Sequence, residues 1–149
     1  MTDDIELHGR RAIVTGGASG IGKATAFRLA AAGADVVVTD IDEPGGASVA
    51  EEIGGTFSML DVSDPQAWDR VIAAAGPFDI AFLNAGISTY QGLPDDDEHS
   101  FDILSDDAYR RIMGINVDGV VYGTRAVLPG MSDRGGGDLV APDAKAGLG

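Results

Sequence analysis

The sequence contains no cysteine and only two lysines among its 149 residues. Without cysteine the chain can form neither disulfide bonds nor thiolate metal sites, and it has no thiol nucleophile. No uninterrupted apolar run approaches the roughly 20 residues that span a bilayer. The first ten residues, MTDDIELHGR, are acidic and lack an apolar core, so they predict no secretory signal. Together these absences favour a cytoplasmic protein.

Positive charge is also scarce. Aspartate and glutamate number 24 against 10 lysines and arginines, which gives a net charge of −14. A field of this sign repels phosphate backbones and anionic lipid, so the composition argues against nucleic acid and membrane surfaces as partners. The acidic run 95–98 could bind a cation, but a solvated loop explains it as well, and we predict no metal site.

What is present fits one folded domain over residues 1–149. Short apolar runs bounded by glycine predict five strands at 11–15, 34–40, 56–60, 78–86 and 138–141. Helical spacing predicts helices at 21–32, 44–53, 64–75 and about 107–128, with a long polar loop at 88–106. This alternation predicts an α/β fold, a Rossmann-type doubly wound parallel sheet with helices on both faces.

The turn after the first strand, TGGASGIG at 15–22, has the composition of a phosphate-binding loop. Its glycines allow a tight turn and a close approach of the backbone to a diphosphate, while the amides of the next helix face the negative charge. A strand before it and a helix after it are the context that a dinucleotide site requires. The residues expected at the cofactor are Gly16, Ser19, Gly20, Ile21 and Gly22.

An acidic residue, Asp40, ends the second strand 18 residues after Gly22. Its carboxylate can accept hydrogen bonds from both adenosine ribose hydroxyls and would repel a 2′-phosphate. Ser19 offers no positive charge to a 2′-phosphate either, so the sequence favours NAD over NADP. Ile41 follows at the same site, and Asp42 is an alternative partner for the ribose.

The glycine turn resembles that of the short-chain dehydrogenase/reductase family, and three further motifs follow in the family's order. They are LDVSD at 60–64, NAG at 84–86 and INVDG at 115–119. The resemblance runs from about Gly9 to Gly149. It implies that Asp61 and Val62 contact the adenine, and that Asn84, Ala85 and Gly86 line the cofactor cleft.

The resemblance further implies hydride transfer between a nicotinamide and an alcohol or ketone, with Asn116 as the family's catalytic asparagine. The family also uses a tyrosine, a lysine four residues later that lowers the tyrosine pKa, and a serine after the fifth strand. Here no tyrosine has a lysine four residues later, since the lysines are Lys23 and Lys145. Ala144 stands at the serine position.

Three of these residues have alternative roles. Asp61 could cap the next helix, although Asp64 is the better candidate for that cap. Asn84 could simply satisfy backbone groups at a strand end. Asn116 could be a solvated polar residue, although its apolar neighbours make exposure less favourable, because a buried amide needs partners.

The leading hypothesis is a C-terminally truncated NAD-dependent short-chain oxidoreductase that binds NAD(H) without turnover. On this hypothesis the sheet is incomplete at its C-terminal side, and an alcohol or ketone is a substrate only of a complete parent. The exposed fifth strand could pair with another chain, so a homo-oligomer is possible. The alternatives are a non-catalytic NAD-binding or interaction module, and a fragment without independent function.

Overall fold

A computed structural model of the chain describes residues 5–88 and 104–142. Within these ranges the strands are β1 Arg11–Thr15, β2 Asp35–Asp40, β3 Thr56–Met59, β4 Ile80–Leu83 and β5 Asp138–Val140. The helices are α1 Gly20–Ala31, α2 Glu43–Ile53, α3 Pro65–Ala75, α4 Asp106–Met113 and α5 Gly119–Asp133. A single π-helical segment, Gly114–Asp118, joins α4 to α5.

The described strands form one parallel sheet in the order β3-β2-β1-β4-β5. The chain starts in the middle of the sheet, winds to one edge through β3, and then returns to build the other side. The direction of winding reverses between β1 and β4, and such a reversal opens a crevice at the carboxyl ends of the strands. The predicted doubly wound sheet is confirmed.

A hydrophobic core lies on each face of the sheet. Successive strand residues point to opposite faces. Ile13 and Val37 therefore pack against α3 and α5, whereas Val14 and Val38 pack against α1 and α2. Trp68 of α3 is the largest fully buried side chain. The helices on both faces match the prediction.

The fourth strand is shorter than the predicted 78–86, and hydrogen bonds that involve side chains flank it at both ends. Before the strand, the Asp79 carboxylate accepts a hydrogen bond from the Arg11 amide at 2.8 Å. After it, the Ala85 amide donates to the Thr15 hydroxyl at 3.0 Å. The strand was predicted from its apolar letters, which do not reveal where the ladder ends.

The helix predicted to end near Leu128 continues through Pro129 to Asp133, so the predicted boundary was wrong. Proline removes a helical hydrogen bond. However, Val127 and Met131 are only 2% and 3% exposed, and their burial in the core holds the last turn in place. Tertiary packing therefore outweighs the local preference.

Candidate cofactor-binding site

A cleft of about 520 Å³ lies at the carboxyl ends of the strands, where the winding direction reverses. The cleft brings together most of the residues singled out in the sequence. They are Gly16, Ser19, Gly20, Ile21, Asp40, Ile41, Asp61, Val62, Asn84, Ala85 and Gly86. Gly22 and Asn116 do not line the cleft, but each contacts residues that do.

The glycine turn places backbone where side chains would collide. Gly16 has φ +64°, and a Cβ there would lie 2.9 Å from the Ala85 Cα. A Cβ on Gly22 would overlap the Gly16 carbonyl oxygen. Gly20 has φ +55°, and a Cβ built there would meet no atom within 4 Å, so the backbone at this part of the cleft is accessible to a ligand.

Helix α1 begins at this turn with its amides uncapped by a side chain. Ser19 occupies the N-cap position, but its hydroxyl accepts no capping hydrogen bond. The first turn of α1 contains no acidic residue that would compete for the amides. The positive end of the helix therefore stays available to an anionic group at the cleft.

Asp40 joins this turn to the end of β2. Its Oδ2 accepts from the Ala18 amide and its Oδ1 from the Asp42 amide, each at 3.0 Å. A carboxylate has about four acceptor positions, so it can accept further hydrogen bonds. Asp42, the alternative ribose partner, instead caps α2 by accepting from the Gly45 amide at 3.1 Å.

The loop after β3 is held by its own side chains. The Asp61 Oδ1 accepts from the Ser63 amide at 2.9 Å and from the Ser63 hydroxyl at 2.6 Å. Asp61 thus caps the loop that leads into α3, whereas Asp64, the better candidate, caps α3 itself through the Gln66 amide. The buried Trp68 indole donates to the Val62 carbonyl at 3.0 Å and thereby holds the loop against the core.

Asn84 ties the end of β4 to the glycine turn. Its Nδ2 donates to the carbonyl oxygens of Thr15 at 3.3 Å and Gly16 at 3.4 Å. The side chain thus satisfies backbone groups, as its alternative interpretation proposed. This bonding also fixes the backbone of the NAG segment at the cleft wall.

Asn116 lies in the π-helical segment and clamps the backbone of one residue. Its Oδ1 accepts from the Ile87 amide and its Nδ2 donates to the Ile87 carbonyl, both at 2.8 Å. The side chain is therefore not a solvated polar group. Single π turns occur often at functional sites, because the wider turn re-aims a side chain.

Sequence reasoning missed several residues that line the cleft. They are Leu60, Ser63, Ile87, Arg110, Arg111, Gly114 and Ile115. Arg110 and Arg111 precede Asn116 by fewer than two helical turns, which is the signal that could have suggested them. The π-helical segment has no such signal beyond the glycines at its two ends.

Several residues singled out in the sequence lie outside the described residues. These are the acidic run 95–98, Tyr90, and Ala144 with Lys145. In the part of the chain that the structure describes, no group of three or more histidine, aspartate or glutamate side chains could hold a metal ion. Within the same ranges, no helix has the length and apolar character needed to cross a membrane.

The sheet order and the cleft define a Rossmann-type α/β protein. A family model described as short chain dehydrogenase matches residues 10–148 of the sequence. The chain therefore belongs to the short-chain dehydrogenase/reductase family of oxidoreductases, whose members bind a nicotinamide cofactor.

Individual relatives agree with this assignment. A 2-keto-3-deoxy-L-fuconate dehydrogenase of Xanthomonas campestris pv. campestris is 39% identical over 93% of this chain and 44% of its own length. An NADP-dependent (R)-specific alcohol dehydrogenase of Lentilactobacillus kefiri is 35% identical over 91% of this chain and 53% of its own. This chain thus spans about half the length of the curated relatives it matches.

A solved structure shows the same architecture. The crystal structure of a 3-ketoacyl-(acyl-carrier-protein) reductase from Brucella melitensis complexed with NADH superposes with a TM-score of 0.77 at 32% identity. The match covers 87% of this chain and 52% of that one. The sheet of this chain therefore corresponds to about half of that reductase.

Proposed function

We propose that this chain binds NAD(H) in the cleft, as the cofactor-binding part of an oxidoreductase. One observation carries the proposal. The N-terminus of α1 without a side-chain cap, the open glycine turn and the fixed Asp40 carboxylate all lie at the same end of the sheet. In a complete oxidoreductase such a cofactor would supply the chemistry of hydride transfer, accepting a hydride from an alcohol carbon or giving one to a ketone carbon. The cleft volume of about 520 Å³ lies within the usual range for a small ligand.

The residues of this chain fit the cofactor from the diphosphate outward. We infer that the amides at Gly20 and Ile21 bind the diphosphate and that Gly16 and Gly22 keep the turn tight enough to allow it. We assign Asp40 and Ile41 to the adenosine ribose. Asp61 and Val62 are assigned to the adenine, since the Asp61 Oδ1 is bonded to Ser63 and its second oxygen can accept from an amino group.

Asp40 is the basis for preferring NAD over NADP. The Lentilactobacillus kefiri relative is an NADP-dependent enzyme and the Brucella melitensis reductase is complexed with NADH, so the family match leaves the choice open. Asp40 is fixed by two backbone amides and cannot turn away from a 2′-phosphate without losing both hydrogen bonds. A fixed negative charge at this position repels that phosphate.

We propose that these residues bind the cofactor without turning it over. The sequence contains no tyrosine followed four residues later by lysine, so the family's proton-transfer pair is missing from this chain. Ala144, at the serine position, cannot donate to the reacting oxygen. A positioned general acid is worth about 10²–10⁴-fold in rate, and a single oxyanion donor about 10²–10³-fold.

Asn116 does not replace the missing groups. Both polar atoms of its side chain bond to Ile87, so the residue positions the segment after β4, and a primary amide cannot transfer a proton as a tyrosine beside a lysine does. We therefore assign Asn116 to positioning of the cleft wall. Hydride transfer between the nicotinamide and an alcohol or ketone carbon is proposed only for a protein that also supplies the proton-transfer pair.

We propose, further, that the protein acts in the cytoplasm and associates with copies of itself through the outer face of α5. Val121 and Leu128 lie on that face, seven residues apart, and are 47% and 48% exposed. Exposed apolar groups aligned on one helix face favour contact with a second surface. Light scattering would test the association, since a mass equal to one 15.2 kDa chain would contradict it.

A titration followed by nicotinamide fluorescence tests the proposed function. We expect saturable binding of NADH and weaker binding of NADPH. In Asp40→Asn the difference between the two dissociation constants should become smaller. Asp35→Asn is the matched control, because Asp35 lies at the opposite end of the same strand and is exposed. Tighter binding of NADPH than NADH by the unchanged protein would overturn the assignment of Asp40.

A further inference from the structure

Two carboxylates line the cleft that we propose receives an anionic dinucleotide. The acidic side chains lining it are Asp40 and Asp61, and the whole chain carries a net charge of −14. A dinucleotide brings two further negative charges on its diphosphate. Helix amides offset part of this repulsion, but their effect falls off within one turn.

Two arginines in the last turn of α4 line the same cleft. Among the described residues, Arg110 and Arg111 are the only cationic side chains on its wall. Gly114, less than one turn further along, brings the helix close to the loop after β3. A Cβ built on Gly114 would lie 3.6 Å from the Ser63 Cβ. The arginines therefore lie on the side of the cleft formed by Asp61 and Ser63.

The two arginines differ in their partners. The Arg110 Nη1 lies 3.2 Å from the Asp107 Oδ1, so its charge is partly neutralised within α4. Arg111 forms no ion pair with a carboxylate in the described ranges, 5–88 and 104–142. Both side chains are exposed, and an exposed guanidinium on a flexible stem can turn toward a ligand.

We propose that Arg111 is a cofactor-binding residue that supplies positive charge to the adenosine diphosphate part of the dinucleotide. This inference rests on the proposed binding of NAD(H) in the cleft and names a residue beyond those that the motifs identify. The guanidinium attracts the diphosphate and can also stack on the adenine ring, and both interactions favour arginine over lysine. Arg111 thereby offsets the repulsion from Asp40 and Asp61.

Binding of NADH to the full chain at low and high salt tests this role. For Arg111→Gln we expect the Kd at low salt to rise about two- to five-fold, the range of an exposed charge interaction. At about 0.5 M salt the difference should shrink, since screening shortens the reach of exposed charges. Arg111→Lys should recover part of the affinity. Circular dichroism would check that each variant keeps its fold.

Arg28→Gln is the matched control. Arg28 is an exposed arginine in the last turn of α1 that lines a different cavity, beside Leu29 and Ala32. This variant removes one positive charge from the molecule but none from the cleft, so we expect little change in the Kd for NADH. An equal loss of affinity in both variants would overturn the local role of Arg111 in favour of the overall field.

The remaining outcomes separate this inference from the proposed function. If the unchanged protein does not bind NADH, the proposed function itself fails. If it binds and Arg111→Gln binds equally well at low salt, the role of Arg111 fails while the proposed function stands. A loss confined to NADPH would also overturn the inference, because the charge would then serve a 2′-phosphate.

Discussion

At the scale of single residues, polar side chains near the cleft mostly bond to backbone. Asn84 bonds to two carbonyl oxygens, Thr15 accepts from an amide, and Asn116 bonds to both polar groups of Ile87. These bonds fix the turn after β1 and the segment after β4 relative to each other. The site is thus shaped before any ligand arrives.

Replacing Asn116 with alanine tests this view. The change leaves the Ile87 amide and carbonyl without their side-chain partner, and each unsatisfied buried group costs about 1–3 kcal/mol. Because the site is half-buried and water can reach part of it, we expect the free energy of unfolding in urea to fall by about 1–2 kcal/mol. Affinity for NADH should fall as well.

Ser132→Ala is the control for that measurement, since Ser132 is exposed on α5 and surface changes of this kind stay within about 0.5 kcal/mol. Unchanged unfolding and unchanged NADH affinity in Asn116→Ala would contradict the positioning role.

At the scale of elements, small residues let α5 approach the rest of the molecule closely. A Cβ on Gly119 would lie 2.7 Å from the Val62 Cγ2, and one on Gly123 would lie 2.7 Å from the Trp68 Cζ2. Trp68 in turn bonds to the Val62 carbonyl. The position of α5 therefore determines how the loop after β3 sits at the cleft.

Gly123→Ala should destabilise the protein although alanine favours helix. The gain in helix propensity is about 1 kcal/mol, while overpacking against Trp68 and Leu83 costs about 1–3 kcal/mol. We expect a net loss of about 1 kcal/mol in thermal or urea unfolding. Ser132→Ala, at an exposed position of the same helix, should change stability little. A Gly123→Ala variant more stable than the unchanged protein would contradict this expectation, because it would show that α5 can move away from Trp68 without loss of stability.

Elements were predicted from the sequence more successfully than their ends. Alternating strands and helices, caps such as Asp64, and the glycine turn all follow from local chemistry, and the structure agrees. The continuation through Pro129 did not follow, because burial of Met131 is a tertiary effect. The π-helical segment depends on how α4 meets the loop after β3, which no local pattern encodes, whereas the arginines at the cleft could have been suggested only by their spacing from Asn116.

At the scale of the whole molecule, the order of the strands creates the site. β1 pairs with β2 on one side and with β4 on the other, and the connections after β1 and β4 lead to helices on opposite faces of the sheet, which leaves a crevice between them. Residues as distant in sequence as Gly16, Asp61 and Arg111 line it together. The sequence suggested the first two through motifs, whereas only the packing of α4 adds the third.

The central claim is that a nicotinamide dinucleotide binds in this crevice. An amide NMR titration with NADH tests it most directly, since each backbone position reports separately. We expect saturable shifts confined to residues 16–22, 40–41, 61–63 and 84–87, with the Arg111 amide also affected. Shifts confined to another surface, or the absence of saturable shifts at the cleft residues, would contradict binding of the dinucleotide in this crevice.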